Sequence, residues 1–160
     1  MTGRGNVDKL TKLEKAFYTE LTNCINAKSK DEQVLPYTID VYHGNADVLI
    51  GNYKNNSIDV ADIDQFNNIG EGGVTKQGKL IHEIVEQGKK AFYGNKKGDS
   101  MGRDLSHKYG CTSESKVNGL RRDIKGDKKT QRGVFIEHHY DNKKEYTITI
   151  RDLPIIEVSQ

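Results

Sequence analysis

The feature that most constrains this fold is a stripe of apolar residues at helical spacing in the middle of the chain. In "TKQGKLIHEIVEQGKKAF" (75–92), Leu80, Ile81, Ile84, Val85 and Gly88 fall on one side of a helix. A face of that kind has to be buried, so this helix needs partners. Thr75 or Gly73 suits the position that caps its start. The same spacing recurs near the start of the chain, over 7–27, with Leu10, Leu13, Phe17, Leu21 and Ile25. A third helical region is expected over about 104–122, with a break near Gly110, after a glycine-punctuated loop at 93–103.

Between the first two helices lie three short β-like runs, "YTIDVY" (37–42), "DVLIGNY" (47–53) and "SIDVADI" (57–63). The turns "HGNA" and "KNN" separate them, which predicts a small antiparallel meander. Near the other end, "GVFIEHHY" (133–140) and "EYTITIRD" (145–152) alternate around the turn "DNKK", as a hairpin does, and "LPIIEV" follows as a last edge strand. The expectation is a single α+β domain over 1–160. It comprises a small antiparallel sheet packed with an N-terminal helix and an active-site helix pair, and a C-terminal β-hairpin.

Composition narrows the function. Only 34% of the residues are hydrophobic and 30% are charged, so the core is lean and the surface well solvated. The net charge of +2 is not that of a dedicated nucleic-acid binder. The basic clusters at 88–98 and 120–132 read first as solvated loops. Two distant cysteines, Cys24 and Cys111, make neither a disulfide framework nor a thiol metal knuckle, and point to a reducing compartment. The polar opening "MTGRGNVDKL" leads us to expect no signal peptide and no membrane span. The protein would then be cytoplasmic as made, exported by a specialised system or carried within a larger protein.

The chemistry concentrates in "LIHEIVEQ" (80–87). On a helix, His82 and Glu86 stand one above the other at i and i+4, with about 5–6 Å between their Cβ atoms, close enough to share a metal ion. Glu83 sits about 100° round the axis. Zinc hydrolases with HExxH use this geometry, two histidines binding zinc and the glutamate acting as base. Here Glu86 stands at the second histidine's position. A later histidine is then wanted, and His107 in "DLSHKYGCTSESKVNG" supplies it. Glu114, seven residues on, falls on the same helical face as a fourth ligand or as support for His107, and Cys111 falls there too as a weaker thiolate candidate. The metal would be one Zn2+ per chain, activating a water that Glu83 deprotonates. His138, His139, Tyr109 and Tyr140 are candidates for stabilising the oxyanion. The plain rival is a surface helix on which Glu86 pairs with Lys90 at i+4.

At these residues the chain resembles a zincin-like metallopeptidase of the bacterial toxin or effector type. The likeness is carried by "TKQGKLIHEIVEQ" (75–87), "NSIDVADIDQF" (56–66) and "SHKYGCTSE" (106–114), about a third to two fifths of the chain. It implies His82 as ligand, Glu83 as base, and a sheet edge beside the active-site helix that takes substrate as an added strand, with "SIDVADI" as that edge. It also implies a protein or peptide substrate and a partner such as an immunity protein or secretion carrier. A membrane is not implied, and nucleic acid is not the expected partner. Two other readings stay open. One is a nuclease-type toxin using the basic segment 120–132 with His138 or His139; the other is a non-catalytic partner-binding domain using the hairpin edge.

Overall fold

A computed structural model describes residues 7–28, 37–68, 74–93, 100–122, 128–131, 134–139 and 144–149. The fold is α+β. After a single 3-10 turn at Val7–Lys9, helix α1 runs Lys12–Ile25. Its start is fixed by a reciprocal cap that the apolar pattern did not disclose. Glu14 N–H donates to Thr11 Oγ1 at 3.3 Å, and Thr11 N–H donates to Glu14 Oε2 at 2.8 Å. The apolar stripe of α1 is only partly covered. Phe17 and Leu21 pack inward, but Leu13 is 41% exposed and Ile25 60%. Buried in their stead are Cys24 and the carboxylate of Glu20, which accepts from Ser113 Oγ at 2.6 Å and Lys116 Nζ at 2.7 Å.

The central strands are β1 (Asp40–Tyr42), β2 (Gly51–Asn52) and β3 (Ser57–Asp59), in the order β1-β3-β2. The expected antiparallel meander is corrected here: β1 pairs with β3 in parallel, Val41 opposite Ile58, and only β2 is antiparallel to β3. The run 57–63 is also not one strand. It turns at Asp59 into the short helix α2 (Val60–Asp64). The buried Asp59 carboxylate explains both changes. It accepts from Ala61 N–H and caps α2, and it accepts from Gly44 and Asn45 N–H, folding the connection after β1 back onto itself. With β3 flanked on both sides, "SIDVADI" cannot be the free edge; β2 is an edge strand of this sheet.

Helix α3 (Lys76–Tyr93) lies at the centre of the fold. Thr75 caps it, accepting from Gly78 N–H at 3.0 Å. One side of α3 brings Leu80 against Ile50, Ile58, Ile63, Phe66 and Val74. Another brings Ile81, Ile84 and Val85 against α1 and Val117. Helix α4 (Ser100–Asn118) begins inside the expected loop and runs through Gly110 without the expected break. It lies antiparallel along α3. Residue 75 meets 118 through Thr75 Oγ1 and Asn118 Oδ1, residue 82 meets 114, and residue 86 meets 107. Gly110 permits this close approach, because a Cβ there would stand 3.0 Å from the His82 carbonyl oxygen and 3.1 Å from its ring. Packing against His82 keeps the helix whole where propensity alone favoured a break. Among the described residues no helix is long and apolar enough to cross a membrane.

A second sheet contains β4 (Lys128–Gln131), β5 (Val134–His139) and β6 (Lys144–Thr149), in that order and antiparallel. The hairpin is where the alternation placed it. The basic segment 120–132 was expected to be a loop, but its last part is β4. A two-stranded hairpin is marginal alone, and a third strand gives β5 ladder partners on both sides. "LPIIEV", Gly73 and Tyr140 lie outside the described residues.

Candidate metal centre

The α3–α4 packing gathers the histidines. His82 is 1% exposed, and both its ring nitrogens face carboxylates. Nε2 lies 3.0 Å from Glu86 Oε2, and Nδ1 lies 2.8 Å from Glu114 Oε2. His107 comes over from α4 with Nδ1 3.3 Å from the same Glu86 oxygen, and its ring meets that of His82 edge-on at 5.0 Å. One turn further along α4, Cys111 Sγ lies 3.5 Å from His107 Nε2. One ligand atom each from His82, His107 and Cys111 falls within 4.8 Å of the others, so this group could hold a metal ion. Two imidazoles and a thiol suit zinc, and suit neither magnesium nor calcium, which want oxygen ligands.

The expected residues are thus only partly together. His82, Glu86 and His107 converge. Glu114 stands behind His82, on the opposite ring nitrogen, where a carboxylate orients an imidazole and fixes its tautomer. Glu83 occupies the adjoining face of α3. Its Oε1 is 3.5 Å from Lys79 Nζ, and its Oε2 lies against Gly51 on β2. Among the described residues no hydrogen bond or ion pair joins Glu83 to either histidine or to Cys111. His138 and His139 belong to β5, opposite Glu145 and Lys144. The rival pairing of Glu86 with Lys90 does not form. Lys90 instead donates to the carbonyls of Tyr53 and Lys54 and to Asn56 Oδ1, clamping the turn between β2 and β3.

Two members of the cluster were weak or silent in the sequence. Cys111 shares the i, i+4 relation with His107 that Glu86 has with His82, and this paired spacing is the signal that identifies it. Arg122 gives no local signal. Helix α4 ends at Gly119 in the left-handed region (φ +66°), and Ser115 Oγ then accepts from Arg122 N–H at 2.8 Å, turning the chain back. The guanidinium thereby reaches Glu114 Oε2, on which the His82 Nδ1–H also converges.

Electrostatics follow from this arrangement. Burial and the nearby Lys79 and Arg122 charges oppose a proton on His82, yet its pKa is raised to about 10, with hydrogen bonds to Cys111 and Glu114 among the interactions that favour the proton. Burial would raise the Cys111 thiol, yet hydrogen bonds from His107 and His82 and the Arg122 charge bring it down to about 7. Glu86 and Glu114 stay ionised against their burial, Glu86 through hydrogen bonds from His107 and His82, Glu114 through the Arg122 charge and the His82 hydrogen bond.

Comparison of the chain with known protein families, characterised proteins and solved structures finds no match.

Proposed function

We propose that this chain is a zinc-dependent hydrolase acting on a peptide substrate, its metal held by His82, His107 and Cys111. The observation that carries this reading is the convergence of two imidazoles and a thiol from two packed helices. Zinc bound to three protein ligands supplies a water that ionises near neutral pH and a Lewis acid for a carbonyl oxygen. Arg122 and Glu114 hold the His82 ring from behind. Cys111, close to its ionisation point at neutral pH, is ready to act as a thiolate. We assign the proton-handling role to Glu86, whose carboxylate reaches both histidines, because position precedes pKa in choosing a base. Glu83, engaged with Lys79 beside β2, supports that edge strand instead.

Burial favours one second reading. With Glu86 as a fourth ligand the shell is closed, and the metal is structural. Elemental analysis of protein purified without a metal-affinity tag tests both. One zinc per chain, lost in His82→Ala, His107→Ala and Cys111→Ser, is expected. Glu86→Gln should keep zinc and lose hydrolysis, whereas Glu83→Gln should keep both. Zinc loss in Glu86→Gln would favour the structural reading, and wild type that takes up no added zinc would end the metal proposal.

A further inference from the structure

A cleft of about 590 Å3 adjoins the metal cluster, between the start of α1 and the last turns of α4. Of the three proposed ligands Cys111 lines it, together with Arg122, which stands on Glu114 behind His82. Among the described residues the cleft is lined by five cations, Lys12, Lys108, Lys116, Arg121 and Arg122, and by no acidic residue. Not all five are open to a ligand. Lys116 is held by Glu20 at 2.7 Å, and Arg122 is engaged by Glu114. Arg121 is exposed but already has an interaction of its own; Lys12 and Lys108 are exposed, and no ion pair ties either to an acid among the described residues. A cleft lined by one sign of charge raises the local concentration of oppositely charged ligands.

The rest of the lining selects among anions. Leu13 and Leu120 add aliphatic wall, and among the described residues no aromatic side chain lines the cleft. Single-stranded nucleic acid is held chiefly by stacking on aromatic faces, which this cleft does not offer. Aliphatic wall between cations suits a peptide in which acidic and aliphatic side chains alternate.

We propose that this cleft seats an acidic peptide, carboxylates on Lys12 and Lys108 and an aliphatic side chain between Leu13 and Leu120, so that the peptide's backbone is brought beside Cys111. The inference rests on the hydrolase reading and names its substrate class.

The test is calorimetric titration of an acetylated Glu-Leu-Glu-Leu-Glu peptide into the whole zinc-loaded chain, with zinc content measured on the same sample. The Lys-Leu-Lys-Leu-Lys peptide and an oligothymidylate are the controls. We expect binding of the acidic peptide alone, and a loss of about tenfold or more in Lys12→Glu/Lys108→Glu, because each reversal turns an attraction into a repulsion. Both lysines are exposed, and an acid at the start of α1 suits the helix dipole, so the variant should fold. Should its circular dichroism change, Lys12→Gln/Lys108→Gln is the substitute, with a loss of about threefold or more. Equal affinity in a folded variant, no binding to wild type, or tighter binding of oligothymidylate would overturn the proposal. Failure to take up zinc overturns the hydrolase reading instead, and elemental analysis registers it separately.

Discussion

Replacing Glu114 by Gln tests the buried network behind His82 most sharply. The side chain is 0% exposed, and its Oε2 takes hydrogen bonds from Arg122 and from His82 Nδ1. Gln keeps the shape and an acceptor oxygen but removes the charge. Arg122, 3% exposed, then loses the buried carboxylate charge that it donates to. Breaking a buried pair from one side costs about 3–5 kcal/mol. That is a large share of the roughly 5–15 kcal/mol that holds a domain together. With a urea slope of about 2 kcal/mol per molar, the unfolding midpoint should fall by about 2 M. Adding Arg122→Met removes that cation, so the double variant should lose less than the two single losses combined, with a coupling of about 2 kcal/mol or more. Urea unfolding of the four proteins, followed by circular dichroism, measures this. A midpoint shift below about 0.5 M for Glu114→Gln, or plain additivity, would refute the network. Zinc affinity in the same variant should drop only about ten- to a hundredfold, since Glu114 orients a ligand and does not bind the metal.

Gly110→Ala should lower both stability and zinc affinity. Overpacking against His82 costs about 1–3 kcal/mol and exceeds the ~1 kcal/mol gained in helix propensity, so a more stable variant with unchanged zinc affinity would contradict the helix contact. Zinc affinity should rise with pH, because His82 holds its proton up to about 10 and must release it to bind metal. The slope should be about tenfold per pH unit above 7 and steeper below, where the Cys111 thiol is also protonated; a flat profile in a chelator-competition titration would exclude His82 as a ligand. Lys90→Met leaves the Tyr53 and Lys54 carbonyls without their donor and should cost about 1–3 kcal/mol, with faster amide exchange over residues 51–58. Exchange unchanged there would show that Lys90 does not hold the turn.

The helical stripe at 80–88, the capping residue Thr75 and the C-terminal hairpin were legible in the sequence, because each depends on local periodicity or on neighbours within a turn. The same local rule placed His82 above Glu86, and the need for a further ligand, not the spacing, led to His107. What local rules could not supply were the relations between elements. The parallel pairing of β1 with β3 depends on Asp59 folding a distant connection back. The unbroken α4 depends on Gly110 meeting His82. The partition of the glutamates was likewise decided by packing. Glu83, Glu86 and Glu114 are chemically alike in sequence, and only the contacts of α3 with β2 and α4 send one to Lys79, one to both histidines and one to Arg122. Periodicity determined which residues shared a helical face. The antiparallel crossing of α3 and α4 alone decided that the His82 imidazole should meet the local pair His107 and Cys111, since it joins residues more than 20 positions apart that no local spacing relates.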